Sequence, residues 1–506
     1  MTLPTGKTVL GPLNRVEGDL EIRVEVAQSD DGKDRVQQAW VNSPLFRGFE
    51  VILQGKAPLD ALVYTPRICG ICSVAQSVAA ASALANYMEV VPTDNGRLAT
   101  SLTLACENLA DHLSHFYLFF MPDFARAGYQ SQPWFDAIQK RFRAQVGEVV
   151  NQVLPARAGF MQMTGILAGK WPHSLSLQPG GTSKALGSSE QVRLLMMIRS
   201  FRQFLEQVLF ADTLENVAAL ENREQLNAWA ASHAQSDFGR FLSLVEPLQL
   251  DQLGVTRNTF LSYGAYDIPS NSSQPHLFKQ GVAQWQKQSL KNGGLKSKKL
   301  DTTLIEEDIA YSWLVGERAH PYQGNTQPDA DVPGYSWCKA PRLDGNVAEV
   351  GALARQVVNG HPLLLDLVKT DGASVMSRVV ARLLEFALVV PAMEQWCQQL
   401  QVNEAFCADQ SRQPSSGKGQ GLVEAARGSL GHWLNVEDGR IANYQIIAPT
   451  TWNFSPRDQQ GVCGPLESAL QNIELNNAGD AAELHECLPI QHVIRSYDPC
   501  MVCTVH

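Results

Sequence analysis

The chain ends with the stretch Asp498-Pro499-Cys500-Met501-Val502-Cys503-Thr504-Val505-His506, a C-x-x-C pair followed by a histidine. A second pair lies far upstream, in Arg67-Ile68-Cys69-Gly70-Ile71-Cys72. Two residues between cysteines let both sulfur atoms face one point across a tight turn, which is the spacing that metal sites use. If both pairs bind one metal centre, the fold must bring these two distant segments together.

The composition is that of an ordinary folded protein. Of the 506 residues, 44% are hydrophobic and 18% are charged, which excludes a disordered or fibrous chain. The formal net charge of -10 argues against nucleic acid as a partner, because binding phosphates requires a basic face. The ten cysteines are too few for a disulfide-stapled secreted scaffold, so we expect a reducing compartment and mostly buried thiols.

The beginning of the chain and its apolar stretches bear on location. Residues 1–7 lack the apolar core of a signal peptide. The apolar stretch at residues 116–120 is far too short to span a bilayer. These features predict a cytoplasmic chain with no direct membrane span.

Hydrophobic periodicity predicts a mainly α chain with a small mixed β-sheet near the N-terminus. We expect strands at residues 8–26 and 36–41, separated by a polar turn at 29–33. Helices are expected at residues 74–88, 95–118, 133–153, 188–220, 347–359 and 374–399, and surface loops at 284–299 and 411–421. No linker divides the chain, so we predict a single unit over residues 1–506, β-rich from 1 to 60 and mainly helical from 61 to 506.

Spacing alone does not identify the metal. Four cysteines in two C-x-x-C pairs are typical of a structural zinc site. However, the pairs lie more than four hundred residues apart, whereas zinc ribbons and fingers close much shorter loops. A soft, sulfur-rich ligand set also suits nickel or iron, so both possibilities stay open at this point.

The residues around the cysteines favour one of these metals. The two quoted stretches closely resemble the signature motifs of the nickel–iron hydrogenase large subunit. Further blocks resemble that family in the same order: Arg15-Val16-Glu17-Gly18, Arg47-Gly48-Phe49-Glu50, Glu424-Ala425-Ala426-Arg427-Gly428 and Ala448-Pro449-Thr450-Thr451-Trp452-Asn453. The resemblance covers the whole chain and implies the large multihelical fold of the family.

The resemblance implies a nickel–iron centre held by four thiolates, with one carbonyl and two cyanides on the iron. Cys69 and Cys500 would be terminal nickel ligands, and Cys72 and Cys503 would bridge to the iron. Such a centre splits its substrate, dihydrogen, heterolytically, and Cys500 would accept the first proton. The donor set is consistent with this, because thiolates favour soft, redox-active metals.

The resemblance also assigns roles to residues around the centre. Glu17 would be the next proton relay, since a partly buried carboxyl accepts and releases protons at modest cost. Without the resemblance we would interpret Glu17 as a surface strand residue. Arg427 would lie over the open metal position, held by Asp111 and Asp498. Thr450 would donate a hydrogen bond to a cyanide.

Two further sites follow from the resemblance. Glu50, His506 and the backbone carbonyl of Ile446 would bind a second, hard cation, usually magnesium. His173 resembles the histidine that faces an iron–sulfur cluster of the partner subunit. From the residues alone, His506 would be a disordered terminus and His173 a loop histidine.

Three positions depart from the common family pattern. Gln76 stands where most catalytic relatives have a histidine, and this glutamine resembles the hydrogen-sensing regulatory branch. Ile71 and Phe119 occupy places that line the inner gas channel, where ordinary hydrogenases have the smaller valine and leucine. A bulkier pair would slow dioxygen more than dihydrogen and so give oxygen tolerance, although ordinary core packing explains the same residues.

We therefore expect the large subunit of a nickel–iron hydrogenase, most similar to the cytoplasmic hydrogen sensor with low turnover. It would pair with an iron–sulfur small subunit as a heterodimer or a dimer of such heterodimers, depend on maturation chaperones, and signal to a histidine protein kinase. A respiratory uptake hydrogenase is the alternative within the family, and a non-catalytic homologue of a respiratory complex I subunit is the alternative of another class. The family's C-terminal extension is absent after His506, and the sequence leaves open whether it was removed or never encoded.

Overall fold

The chain begins with strands and continues mainly as helices. The computed structural model describes residues 7–269, 272, 274–285, 294–475 and 487–504, with the backbone alone at 370 and 371. The strands are β1 (Lys7–Leu10), β2 (Glu21–Gln28), β3 (Asp34–Asn42), β4 (Leu177–Gln178), β5 (Gly181–Thr182), β6 (Thr259–Asp267), β7 (His276–Trp285), β8 (Leu295–Lys298), β9 (Ile305–Asp308), β10 (Ala340–Leu343), β11 (Ala348–Glu349), β12 (Gly417–Ala425), β13 (Gly428–Glu437), β14 (Arg440–Ile447) and β15 (Glu474–Leu475).

The helices account for most of the body. They are α1 (Phe49–Leu53), α2 (Ala61–Tyr64), α3 (Ser73–Met88), α4 (Asp94–Ser114), α5 (Phe135–Phe142), α6 (Val150–Ala168), α7 (Ser188–Phe204), α8 (Leu214–Ala218), α9 (Arg223–Ser232), α10 (Asp237–Leu242), α11 (Ala352–Asn359), α12 (Pro362–Asp371), α13 (Val375–Gln399), α14 (Pro449–Asn453), α15 (Pro465–Leu470) and α16 (Leu488–Ser496). The predicted mainly α class with small sheets is confirmed. Among the described residues, none of these helices is long and apolar enough to cross a membrane.

The N-terminal sheet is present, but its strands differ from the prediction. Its order is β1-β2-β3-β15, and every pairing is antiparallel rather than mixed. The single strand predicted at residues 8–26 is wrong, because a loop at 11–20 separates β1 from β2. Alternation within β2 is confirmed, since Ile22 and Val24 are fully buried. The intervening loop is important because it contains Glu17.

The predicted core helices α3, α4 and α13 are confirmed. Thr93 caps α4 by accepting a hydrogen bond from the Gly96 N–H, and Ser374 caps α13 in the same way through the Ser377 N–H. Helix α4 packs against α6 and α13 and continues as a π-helical turn, His115–Phe120. Apolar side chains from both ends of the chain, including Leu10 and Cys503, share one core. The single-unit organisation stays a prediction.

The three-stranded antiparallel sheet β12-β13-β14 was missed, and its first strand overlaps the loop predicted at 411–421. Gly419 and Gly421 explain the difference. A Cβ atom on either residue would collide with the carbonyl oxygen of Ala83 or Ala79 on α3. Glycine therefore serves close packing of a strand against a helix here, rather than flexibility.

Other predicted elements differ in their boundaries. The helix predicted at 133–153 is broken between α5 and α6, and the one at 188–220 is broken at Ala211, which has a left-handed φ of 53°. The segment 347–359 begins with β11 before α11. The loop predicted at 284–299 contains the end of β7 and all of β8, and residues 286–293 lie outside the described residues.

A buried ion-pair network fixes the end of β12. The Arg355 guanidinium on α11 donates to Glu424 at 3.0 Å and to Glu385 on α13 at 2.8 Å. All three side chains are fully buried, so each charge requires these partners. The network holds β12 just before Arg427, the arginine predicted at the metal site.

Candidate metal centre

The first cysteine pair lies at the start of α3. A 3-10 turn, Thr65–Ile68, precedes Cys69, and Cys72 is the residue immediately before the helix. The Ile71 and Cys72 N–H groups point at the Cys69 sulfur, at 3.3 and 3.4 Å. Amide donors around a sulfur stabilise its thiolate form, which is the form that binds metals.

The second pair follows α16 and is held by the loop between β1 and β2. The Met501 N–H donates to the Glu17 carbonyl at 2.7 Å, and the Glu17 N–H donates to the Pro499 carbonyl at 3.5 Å. The Cys500 N–H donates to Thr450 Oγ1 at 3.1 Å. This arrangement leaves the Thr450 hydroxyl proton available to donate to a ligand next to Cys500.

The fold brings the two pairs together, as predicted. The four sulfur atoms of Cys69, Cys72, Cys500 and Cys503 lie within 4.8 Å of one another, and all four residues are buried. The Cys69–Cys500, Cys72–Cys503 and Cys500–Cys503 sulfur distances are 3.5, 3.3 and 3.1 Å. These distances exceed a disulfide bond, so the thiols surround a common point.

The thiols share their protons unevenly. Hydrogen bonds from the other three cysteines hold the pKa of Cys69 well below its ordinary value. The same contacts raise the pKa of Cys72 and Cys500. Four thiolates this close require a cation to compensate them, so the donor set fits a soft, multiply charged metal centre.

Arg427 lies where the sequence places it, between the two predicted aspartates. Its guanidinium donates to both carboxylate oxygens of Asp111, to the Asp498 carboxylate at 3.1 Å and to the Asp498 carbonyl at 2.7 Å. Burial alone would lower the pKa of Arg427, but the charges of Asp111 and Asp498 hold it well above its usual value. Burial raises the pKa of Asp111 to about 7, against the effect of Arg427. The arginine is therefore a fixed, charged group.

Glu17 is half-buried beside the second cysteine pair. Burial is the largest cause that raises its pKa, followed by the charge of Cys69, while Arg427 lowers it. The interpretation of Glu17 as a surface strand residue is wrong, because the residue forms only an isolated bridge to Cys500. Its loop is tied down by Arg495 of α16, which donates to the Asn14 carbonyl at 2.9 Å.

The predicted hard-cation site is rich in buried oxygen atoms. Glu50 accepts hydrogen bonds from the Ile446 N–H at 2.8 Å, from the Lys339 ammonium at 3.1 Å and from the Thr326 hydroxyl. Glu307 lies 3.4 Å from the same ammonium, and its Oε1 is buried without a partner among the described residues. This donor set fits a hard cation, with Lys339 supplying positive charge at the site.

The third predicted ligand of that site, His506, lies outside the described residues. Ile446 contacts Glu50 through its N–H rather than through the predicted carbonyl. The magnesium ion therefore stays a prediction.

His173 lies close to the first cysteine pair. Its Nδ1 is 2.8 Å from the Pro66 carbonyl, and its N–H donates to Ser73 Oγ at 3.3 Å. The ring is half-exposed, so its Nε2 edge is directed away from the core contact. The neighbouring Trp171 donates to Glu107, a buried carboxylate that sequence analysis missed. Burial raises the pKa of Glu107 to about 8, and backbone N–H groups of α3 oppose this shift.

Gln76 is buried one turn after Cys72. It lies 2.9 Å from His432 Nε2, and His432 Nδ1 lies 2.8 Å from the Tyr444 hydroxyl. Ile71 lies directly at the ligands through its N–H, while Phe119 is half-buried on the turn after α4. No sequence spacing links residue 76 to residue 432, so the pair was not predictable.

Comparison with known proteins identifies the family. The family described as nickel-dependent hydrogenase matches residues 47–127 and 150–506. The periplasmic [NiFeSe] hydrogenase large subunit of Desulfomicrobium baculatum is 29% identical, with 99% of this chain and 95% of the relative covered. The uptake hydrogenase large subunit of Rhodobacter capsulatus is 28% identical with the same coverage.

Solved structures agree over the whole chain. The H2-activated [NiFeSe]-hydrogenase of Dm. baculatum has a TM-score of 0.80 at 26% identity, with 99% of each chain covered. The reduced Ni-Fe-Se hydrogenase of D. vulgaris Hildenborough has a TM-score of 0.79 at 28% identity, again with 99% of each chain covered. The family match runs through both cysteine pairs, so a structural zinc site no longer explains them. The chain belongs to the nickel-dependent hydrogenase family, as a large subunit and an oxidoreductase.

Proposed function

We propose that this chain is the large, catalytic subunit of an uptake-type nickel–iron hydrogenase that oxidises dihydrogen. The observation that supports this most is the group of four buried cysteine sulfurs within 4.8 Å, beside an arginine held by two aspartates. The names of similar proteins favour consumption of dihydrogen over sensing, since they include uptake and quinone-reactive hydrogenases. The intact cysteine set argues against the non-catalytic complex I homologue.

The chain's residues divide the work of heterolytic cleavage. Cys69, Cys72, Cys500 and Cys503 would hold a nickel–iron centre, which supplies the redox chemistry and the polarisation of dihydrogen when bound. The Cys500 thiolate accepts the proton that leaves dihydrogen. The fixed guanidinium of Arg427 orients dihydrogen over the sulfurs, because its two aspartate partners prevent it from turning away.

Proton exit uses the loop between β1 and β2. Glu17 is bonded through its backbone to the segment that contains Cys500, so its carboxyl is positioned to receive the next proton. Half-burial raises the pKa of Glu17 toward the operating pH, where a carboxyl exchanges protons most efficiently. Thr450 donates to a ligand beside Cys500, which we propose is an iron-bound cyanide.

Glu17→Gln is expected to suppress exchange between dideuterium and water protons by about 10²- to 10⁴-fold, because an amide cannot relay a proton. Nickel and iron contents are expected to stay unchanged, since Glu17 contacts the site through its backbone. Mass spectrometry of the evolved gases measures the exchange. Glu21→Gln, on β2, is the matched control and should exchange normally. Normal exchange in Glu17→Gln would remove Glu17 from the relay.

Metal analysis of the purified protein tests the proposed function. We expect nickel and iron in equal amounts, together with infrared bands from one carbonyl and two cyanides. Zinc alone, without such bands, would contradict the assignment. Rapid dye reduction by dihydrogen that dioxygen quenches would support the uptake role.

We also propose that the chain pairs with an iron–sulfur small subunit, because the large subunit holds no second cysteine cluster among its described residues. Val51, Ile52 and Val63 of α1 and α2 expose apolar side chains in the part of the chain just before the first cysteine pair. An exposed apolar patch of this kind is typical of a subunit interface. The cytoplasmic location and the maturation chaperones stay predictions from sequence.

A hydrogen sensor signalling to a histidine protein kinase is the second candidate. Gln76 is the observation that favours it, because the glutamine replaces the histidine of most catalytic relatives and engages His432 instead. Slow dye reduction that persists in air would support this candidate over uptake.

Ile71→Val combined with Phe119→Leu is expected to make such a sensor sensitive to dioxygen, because smaller side chains widen a route through a packed interior. The measurement is the hydrogenase activity that remains after exposure to air. Ile166→Val, on the partly exposed face of α6, is the control and should change nothing. Unchanged air stability of the double variant would remove the channel argument.

A further inference from the structure

Glu107 of α4 is a buried carboxylate surrounded by hydrogen-bond donors. It accepts from the Val74 N–H at 2.9 Å and from the Ala75 N–H at 3.0 Å, one on each oxygen. The Trp171 Nε1–H donates to it at 2.8 Å, and the Ser73 hydroxyl lies at 3.4 Å. The N–H groups at the start of α3 have no partner within their own helix, so Glu107 satisfies them.

The same contacts continue to His173. Ser73 Oγ, which faces Glu107, also accepts from the His173 N–H at 3.3 Å. The His173 ring closes the circuit, because its Nδ1 lies 2.8 Å from the Pro66 carbonyl. We call these five residues, Pro66, Ser73, Glu107, Trp171 and His173, the Glu107 network.

The Glu107 network encloses the first cysteine pair. Cys69 and Cys72 lie in the chain between Pro66 and Ser73, and Ser73 follows Cys72 directly. The segment that provides two sulfurs is thus joined to the loop of the half-exposed His173 by side chains of α4. A helix cap alone would need only the contacts to Val74 and Ala75, whereas the Trp171 contact ties in a segment about a hundred residues away.

We propose that Glu107 is a positioning residue that holds the start of α3 and the His173 loop in one fixed geometry, so that electrons leave the metal centre at the surface beside His173. This inference rests on the proposed function. Each dihydrogen oxidised releases two protons to bases of the chain and two electrons. The electrons leave one at a time to the iron–sulfur clusters of the partner subunit, which are the oxidant.

The test separates chemistry at the metals from electron exit. In the assembled two-subunit enzyme, Glu107→Gln is expected to lower dihydrogen-driven dye reduction by about 10- to 100-fold, as loss of supporting contacts around a metal site does. Exchange between dideuterium and water protons, which needs no electron exit, should change by less than about twofold. Equal losses of both activities, or no loss of either, would overturn the proposal.

A second measurement does not depend on the metals. In the metal-free large subunit, Glu107→Gln is expected to speed amide hydrogen exchange both at 73–75 and at 171–173, because the network joins the two segments. Faster exchange at 73–75 alone would reduce Glu107 to a helix cap and would overturn the proposal. Glu467→Gln is the matched control, since Glu467 is also buried and accepts from the Val41 N–H and the Tyr335 hydroxyl.

A milder variant protects the test against misfolding. Trp171→Phe keeps the ring but removes one donor to Glu107, so it should show the same selective loss of dye reduction to a smaller degree. If neither this variant nor Glu107→Gln separates the two activities, the proposal is wrong. Absence of nickel or of any hydrogen chemistry in the unaltered protein would instead contradict the proposed function.

Discussion

Cys500→Ser is expected to abolish hydrogenase activity and to reduce the nickel content of the purified chain to background. Cys500 lies 3.5 Å from the Cys69 sulfur and 3.1 Å from the Cys503 sulfur, so its removal opens one side of the four-sulfur group. A serine hydroxyl is a hard, weakly acidic donor and does not replace a soft thiolate toward nickel. Elemental analysis together with dihydrogen-driven dye reduction measures both effects.

Cys106→Ser is the matched control for this substitution. Cys106 is fully buried, but its thiol only donates to the Phe160 carbonyl at 3.4 Å, a bond that a serine hydroxyl also makes. We expect this variant to retain both metals and its activity. A Cys500→Ser protein that keeps nickel and turns over at the normal rate would show that the metal centre lies elsewhere.

Arg427→Lys is expected to lower turnover by about 10²- to 10³-fold while nickel and iron remain bound, which is the loss seen when a preorganised donor is removed. The guanidinium reaches both oxygens of Asp111 and two oxygens of Asp498 at once. A lysine ammonium has neither the planar shape nor the number of fixed donors to hold this geometry. Dye-reduction kinetics and metal analysis of the same preparation measure the result.

The control for charge and size is Arg202→Lys, at a surface arginine that pairs with Glu206 and Glu215. Exposed ion pairs contribute little, so this variant should be fully active. Loss of the metals from Arg427→Lys would assign Arg427 to assembly of the site instead of to the reaction. Full activity would exclude a role over the metal position.

Local sequence patterns predicted the elements that do not depend on distant contacts. Helix α3 is apolar almost throughout and α4 has a threonine cap, and both appear where periodicity places them. The same reasoning failed at β12, where glycines indicated a loop. Gly419 and Gly421 instead permit a strand to lie against α3, and that requirement exists only once the helix is in place.

The functional residues divide in the same way. Motif resemblance identified the four cysteines and the trio of Arg427, Asp111 and Asp498, and the structure brings each group together. It gave no signal for Glu107 or for the pairing of Gln76 with His432, because neither residue lies in a recognisable motif. His506 lies outside the described residues, so its predicted role at the hard-cation site is untested.

Sequence alone determined the chemistry of the donors, because two C-x-x-C pairs provide four soft sulfur ligands in any fold that unites them. Flanking residues then determined the family and favoured nickel over zinc. Tertiary structure decided the geometry: which sulfurs approach within 3.1–3.5 Å, which carboxylates hold Arg427, and how α4 joins α3 to the His173 loop. The physical reason is that donor chemistry belongs to single residues, whereas distances across more than four hundred residues depend on the packing of the whole core.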